Sequence, residues 1–309
     1  MRLAASDSSE LETVLRYHER TKHQFHRFAP GPGGLDWANQ PDPFRRYAGA
    51  PLTKLPLLAP DEEPVSPEYE TLYERGAVPA APVTLASLSR LFEYALALSA
   101  WKQAGETRWA LRANPSSGNL HPTEGYLLVA GIAELGALPG LFHYAPLEHG
   151  LERRADCAPA LYQRLAGGLP PRAFLVGLSS VHWREAWKYG ERAFRYCQHD
   201  IGHAIGALRI AAAALGWSAL VLDDTADETL EALLGLDRDA DFAGAERESA
   251  ELAMALWPGA AAPSSASLDA AAAREMQAQR WYGAANRLSR DDPVPWEAID
   301  RVAAAARKA

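Results

Sequence analysis

The chain has 309 residues, 48% apolar and 23% charged, with 31 basic and 39 acidic residues giving a net charge of −8. That size suits one large domain or two small ones of ordinary globular composition. No run of about 18 apolar residues exists, so no transmembrane helix is expected, and the net charge argues weakly against nucleic acid as the main partner, whose backbone needs clustered Lys and Arg.

Residues 9–29 read as a helix with Leu11, Val14, Leu15 and His18 on one face, followed by a basic, His-rich turn. From Pro30 to Pro82 the pattern changes. This stretch holds 11 of the 22 prolines and few periodic apolar runs, so it reads as an extended connection. Its aromatic and aliphatic residues, Trp37, Phe44, Tyr47, Leu55, Tyr69 and Tyr73 among them, favour wrapping on a surface over disorder. Thr84 reads as an N-cap, and Leu85, Leu88, Leu91, Phe92, Ala95 and Leu98 form an apolar helical stripe running up to Trp101.

Strands are expected at Tyr126–Ile132, in a hairpin pairing LFHYA with LERRA, and at Arg172–Leu178, Trp217–Leu222 and Ser249–Trp257. Between them, Glu191–Gly216 is the longest helix, with Phe194, Ile201, Ile205, Leu208, Ala212 and Leu215 on its buried side, and Thr229–Leu234 is a short one. A linker at Gly259–Ser267 leads to a helix over Leu268–Leu288 and a last one over Trp296–Arg307. Interspersed strands and helices with a hairpin predict an α+β fold with a mixed sheet flanked by helices. The expected division is residues 1–83, an N-terminal helix and proline-rich extended segment, and residues 84–309, the α+β domain.

Cys157 and Cys197 lie 40 positions apart without a partner motif, which predicts neither a disulfide framework nor a zinc site. The N-terminus lacks the apolar centre of a secretory signal, so the expected compartment is a reducing cytoplasm.

The strongest local signal is RANPSSGNLHPTEGYLLV, Arg112 to Val129. It is a turn of hydroxyl, amide and glycine groups that enters a buried strand. Ser116, Ser117 and Asn119 supply compact donors and acceptors, Gly118 permits close backbone approach, and Arg112 adds positive charge. Such a loop suits a polar ring edge or a phosphate; from the residues alone, a plain Asx- or Ser-capped turn fits as well. The second signal is WKYGERAFR, Trp187 to Arg195, followed by HDIGH, His199 to His203. Read alone, Lys188 could be a solvated side chain and Tyr189 a core residue. The third is LGWSALVLDD, Leu215 to Asp224, with LLGL at 233–236, which also fits an ordinary strand and capped helix.

Together these stretches resemble the nitroreductase family. The first resembles most closely the SagB/ThcOx-type dehydrogenase branch, whose pattern is roughly R-x-x-P-S, a small residue, G, then A or N, two further residues, and P-x-E. The resemblance covers residues 84–300, with a shorter match at 17–26. It implies FMN contacts from Arg112, Ser116, Ser117, Gly118, Asn119 and His121, and a ring-facing turn at Leu222 and Asp223. It further implies a phosphate cation from Arg287, with Arg20 or Lys22 as a second source, and a proton-transferring pair of Lys188 and Tyr189. The usual Arg-x-Ser-x-Arg opening of the family is absent, and LALSAWKQ stands near its place with Ser99.

An FMN-dependent oxidoreductase is therefore expected, passing hydride through flavin N5 to or from a small-molecule or peptide substrate, with NAD(P)H as electron donor. The flavin would lie at a homodimer interface, or at the junction with a second nitroreductase domain if the chain is half of a tandem protein. The long helix is the candidate to line that interface. The competing expectation is a nitroreductase fold that has lost redox activity and serves as a dimerisation scaffold. Serine hydrolysis is disfavoured, because no G-x-S-x-G elbow is present.

Overall fold

The computed structural model describes residues 5–59, 61–62 and 66–309. In chain order its elements are α1 (Ala5–Thr21), β1 (Tyr47–Ala48), β2 (Leu52–Lys54), α2 (Leu85–Ala95), β3 (Leu98–Ala104), β4 (Thr107–Arg112), β5 (Thr123–Val129), β6 (Gly140–Ala145) and β7 (Gly150–Asp156). Then come α3 (Pro159–Leu165), β8 (Phe174–Ser180), α4 (His182–Tyr189), α5 (Ala193–Ala214), β9 (Trp217–Val221), α6 (Asp227–Leu234), β10 (Ser249–Pro258), α7 (Ala270–Glu275), β11 (Ala284–Ala285) and α8 (Glu297–Ala305).

The centre is a seven-stranded sheet in the order β2-β7-β6-β5-β8-β10-β9. Every ladder in it is antiparallel, which narrows the expected mixed sheet; the sole parallel pairing recorded among the described residues is an isolated bridge between Trp217 and Gly259. Successive side chains of a strand face opposite ways. Leu127 and Val129 of β5, Val176 of β8 and Met254 of β10 therefore join α2 and α5 on one face. Tyr126 and Leu128, Leu175, and Ala253 join α3, α6 and α7 on the other. Helices on both faces explain why all seven residues of β5 and of β8 are buried.

Thr84 and Ser87 close α2 with a reciprocal capping box, Ser87 N to Thr84 Oγ1 at 3.2 Å and Thr84 N to Ser87 Oγ at 2.9 Å. The expected continuation of this helix to Trp101 does not form. Residues from Leu98 make a β-hairpin, because Gly105 takes φ +59° in a two-residue turn that matches strand twist. The expected helix Leu268–Leu288 is likewise shortened to α7 and one further turn. Gly283 sits at φ +72°, and a Cβ there would lie 2.8 Å from the Tyr47 carbonyl oxygen, so the segment runs extended beside β1 instead.

The proline-rich stretch wraps the domain in part. Leu52–Lys54 adds the sheet's edge strand. Arg45, fully enclosed, donates to Glu248 at 3.0 Å. Trp37, Tyr69 and Tyr73 stay exposed. β5 starts, β8 ends and β10 starts at one end of the sheet, since Thr123 and Ser249 both pair with Ser180. The connections leaving that end carry the chemistry-bearing motifs.

Candidate functional site

The loop between β4 and β5 turns sharply, with positive φ at Gly118 (63°), Asn119 (62°) and His121 (53°). Its polar groups tie it down. The Ser117 amide and hydroxyl each donate to Asp200 Oδ1 at 3.0 Å, joining the loop to α5. Asn119 Nδ2 donates to the Ala110 carbonyl at 2.8 Å, and the His121 amide donates to Ser116 Oγ at 2.8 Å. Burial and the neighbouring Arg112 push His121 down to about 3, so its ring is neutral. His121 Nε2 then donates to Asn119 Oδ1 at 3.0 Å, leaving Nδ1 a buried acceptor without a partner.

Lys188 and Tyr189 end α4 and meet the same loop. Lys188 Nζ lies 3.5 Å from the Gly118 carbonyl oxygen. A Cβ on Gly118 would come within 3.0 Å of Lys188 Nζ and would collide with the Tyr189 hydroxyl. The Tyr189 ring packs on Tyr196 of α5 at 4.5 Å between centroids. Burial, with Glu185 beside it, raises the Tyr189 phenol above its ordinary value.

Arg184 underpins the arrangement, donating to the His121 carbonyl at 2.8 Å and to the Asp42 carbonyl at 3.0 Å, and pairing with Glu124. Several buried side-chain atoms at this end of the sheet have no partner: Asn114 Oδ1, His121 Nδ1, Thr123 Oγ1, His182 Nε2 and both carboxylate oxygens of Glu185. Buried polar atoms are normally paired, so these atoms have hydrogen-bonding capacity to spare. A cavity of about 270 Å³ opens at the same end, lined by His182, Trp183, Ser249 and Trp296. A larger groove of about 590 Å³ lies elsewhere, between residues 71–78, the second half of α5 and β9, with no partnerless buried side-chain atom among its lining residues.

Residues 77–245 match the family described as the nitroreductase family. The chain belongs to that family. It is 24% identical over 187 residues to the "Putative nitroreductase MJ1384" of Methanocaldococcus jannaschii, covering 58% of this chain and 88% of the relative. Its fold is similar to the crystal structure of a "putative nitroreductase" from Anabaena variabilis, with TM-score 0.57 and 24% identity over 88% of this chain. The chain spans 55% of the length of that protein. A "putative nitroreductase" structure from Ralstonia eutropha aligns at TM-score 0.47 and 19% identity, over 75% of this chain and 98% of that one.

In this nitroreductase-family chain, Arg112 underlies the ends of the loop, and the other candidates stand apart from it. Arg112 is buried, pushed down to about 10 by burial, and donates to the Thr123 and Pro43 carbonyls. The Leu222 amide is taken by the Ala253 carbonyl at 2.9 Å, while Asp223 is exposed. Arg287 pairs with Asp292 at 2.7 Å, Arg20 pairs with Glu191, and Lys22 pairs with Glu19 at 2.6 Å. Among the described residues, no hydrogen bond or ion pair links Leu222, Asp223 or Arg287 to the loop.

Two acids of this site were absent from the sequence expectations. Asp200 and Glu185 are both fully enclosed. Asp200 had a signal: it falls three residues after Cys197 and four before Ala204, on the buried stripe of α5, where an acid needs a reason. No group of His, Cys, Asp and Glu suited to a metal occurs among the described residues, and no described helix is long and apolar enough to cross a membrane.

Proposed function

We propose that this chain is an FMN-dependent oxidoreductase of the SagB/ThcOx-type dehydrogenase branch. One observation carries the reading: the Ser117–Gly118 turn, the Lys188–Tyr189 end of α4 and Asp200 of α5, far apart in sequence, meet in one contact set. The residues present fit a flavin's polar edge. Gly118 lets the backbone come close, and the partnerless His121 Nδ1, Thr123 Oγ1 and Asn114 Oδ1 await donors and acceptors. Ser116, Ser117, Gly118, Asn119 and His121 would hold the ring edge and ribityl chain, with the Leu222–Asp223 turn at a ring face. Arg112 would lend positive potential from beneath. Arg287 or Arg20 would take the phosphate by exchanging a carboxylate partner for it.

When bound, FMN supplies hydride acceptance and donation between NAD(P)H and a small-molecule or peptide substrate. Lys188 and Tyr189 exchange the proton that accompanies each hydride, and Gly118 sets their position. Residues 84–309 form the flavin domain and residues 1–83 a strap upon it. α5 leaves Gly202, Gly206 and Ile210 on the surface, with open space over both glycines. That face suits a second copy of the chain, or a second nitroreductase domain, closing the site.

One observation favours the competing reading of a redox-silent scaffold. The candidate phosphate cations Arg20, Lys22 and Arg287 are each already in ion pairs. The variants Ser117→Ala and Asn119→Ala separate the two readings. A working flavin site loses FMN affinity by about tenfold or more in each, at a stability cost near 1 kcal/mol for the lost hydrogen bond. Equal FMN titrations in variants and wild type would leave only the scaffold.

A further inference from the structure

Three side chains of α4 reach segments outside residues 77–245, the stretch that matches the nitroreductase family. Trp183 Nε1 donates to Ser289 Oγ at 2.7 Å, Arg184 Nε to the Asp42 carbonyl at 3.0 Å, and Trp187 Nε1 to the Asp36 carbonyl at 2.8 Å. All three side chains are buried, and Trp37 packs edge-on against Trp187 at 5.2 Å between ring centroids. The accepting segments are themselves joined into one belt. The Asp42 amide donates to the Leu288 carbonyl at 2.8 Å, Ser289 Oγ to the Asn39 carbonyl at 3.3 Å, and the Asp291 amide to Asn39 Oδ1 at 2.8 Å. The Leu288 and Ser289 amides, each at 2.8 Å, fasten this belt to the Glu246 carboxylate just before β10.

α4 has eight residues, too few to be stable without tertiary contacts. Arg184 and Lys188 are four residues apart and share a face of it. That face lies along the loop between β4 and β5. Arg184 Nη1 donates to the His121 carbonyl at 2.8 Å, and Lys188 Nζ lies 3.5 Å from the Gly118 carbonyl oxygen. The Lys188 contact is long and falls in the last turn, where Gly190 ends the helix at φ +54°. So long a contact holds little by itself. The shorter bonds at 183, 184 and 187 therefore decide where Lys188 and Tyr189 stand.

We propose that Trp183, Arg184 and Trp187 are positioning residues, which fix α4 to the belt of residues 36–42 and 288–291 and so set Lys188 and Tyr189 against Gly118. The belt is part of the working site although it lies outside the family stretch. The proposal rests on reading Lys188 and Tyr189 as the proton-transferring pair.

The test is acetylation of the purified full chain by acetic anhydride. Peptide mass spectrometry gives the rate at half-buried Lys188 relative to the exposed Lys54 and Lys102. In wild type that ratio should lie below one. Ser289→Ala and Trp187→Phe each remove one tether and keep most of the side chain's bulk. Each should raise the ratio about threefold or more, the population shift that loss of one hydrogen bond permits. Tyr162→Phe removes a comparable bond, from the α3 hydroxyl to the Ala173 carbonyl at 2.7 Å, and should leave the ratio unchanged. With FMN and NAD(P)H, and a nitroaromatic as the probe acceptor, Ser289→Ala and Trp187→Phe should lower kcat while FMN affinity stays at the wild-type value. A ratio unmoved in both variants, a ratio raised as much by Tyr162→Phe, or a kcat equal to wild type in both variants each overturns the proposal. A wild type that takes up no FMN defeats the proposed function instead, and the acetylation ratio then decides the positioning alone.

Discussion

At Gly118 the chain has a backbone angle of φ +63° and no room for a side chain, because the Tyr189 hydroxyl and Lys188 Nζ occupy the space a Cβ would need. Gly118→Ala should therefore lose about 1–2 kcal/mol for the left-handed backbone alone. It should also push the Lys188–Tyr189 end of α4 away from the loop. Urea unfolding reads the first effect and FMN titration the second; a variant matching wild type in both would show that the loop and α4 do not constrain one another. The loop itself was legible in the sequence as a polar, glycine-bearing turn entering a buried strand. Its anchoring was not. The Ser117–Asp200 contact joins positions 83 apart, and pairings across that distance leave no periodic trace. Glu185 was hidden for a related reason: an acid on a short helix reads as solvated until the packing of α4 on α5 encloses it.

Three adjacent strands are clamped by one histidine. His143 of β6 contacts Glu124 of β5 through Nε2 and Glu152 of β7 through Nδ1, both at 3.0 Å. Burial alone would neutralise the ring, but hydrogen bonds to the two carboxylates overrule it and raise it to about 9. A histidine raised on folding from its ordinary 6.5 stabilises fully below that pH and loses its contribution as pH climbs through about 9. The urea midpoint of the wild type should decline across that window. His143→Gln should be less stable at the acidic end and lack that decline; a variant with the same slope would place the titration elsewhere. Among the elements, α2, α5 and the β6–β7 hairpin follow directly from apolar spacing and caps. The β3–β4 hairpin escaped because its strands are largely exposed and its turn rests on Gly105. α7 stops early because Gly283 and β1 claim the following residues for an extended path.

At the scale of the molecule, the sheet is covered on both faces, and its motif-bearing connections leave from one end. The first eighty or so residues are partly integrated with it, supplying β2, the buried Arg45–Glu248 pair, and Tyr47, whose hydroxyl lies 2.7 Å from that of Tyr126. Fold and family were thus legible from motif and strand pattern, while the strap's buried contacts needed three-dimensional packing to appear. α1 docks onto the turn before α5 and onto its first residues through Tyr17, whose hydroxyl donates to the Glu191 carbonyl at 2.6 Å and accepts from the Arg195 amide at 3.2 Å. The whole therefore presents one polar, incompletely satisfied end and one long helix with a partly exposed face. A flavin and a partner domain would complete these two features. The most direct test is the visible absorption spectrum of the natively purified chain, before and after incubation with FMN and removal of the unbound flavin. Flavin bands retained at about one FMN per chain, and lost in Ser117→Ala, are the predicted result. A colourless protein that takes up no added FMN contradicts it.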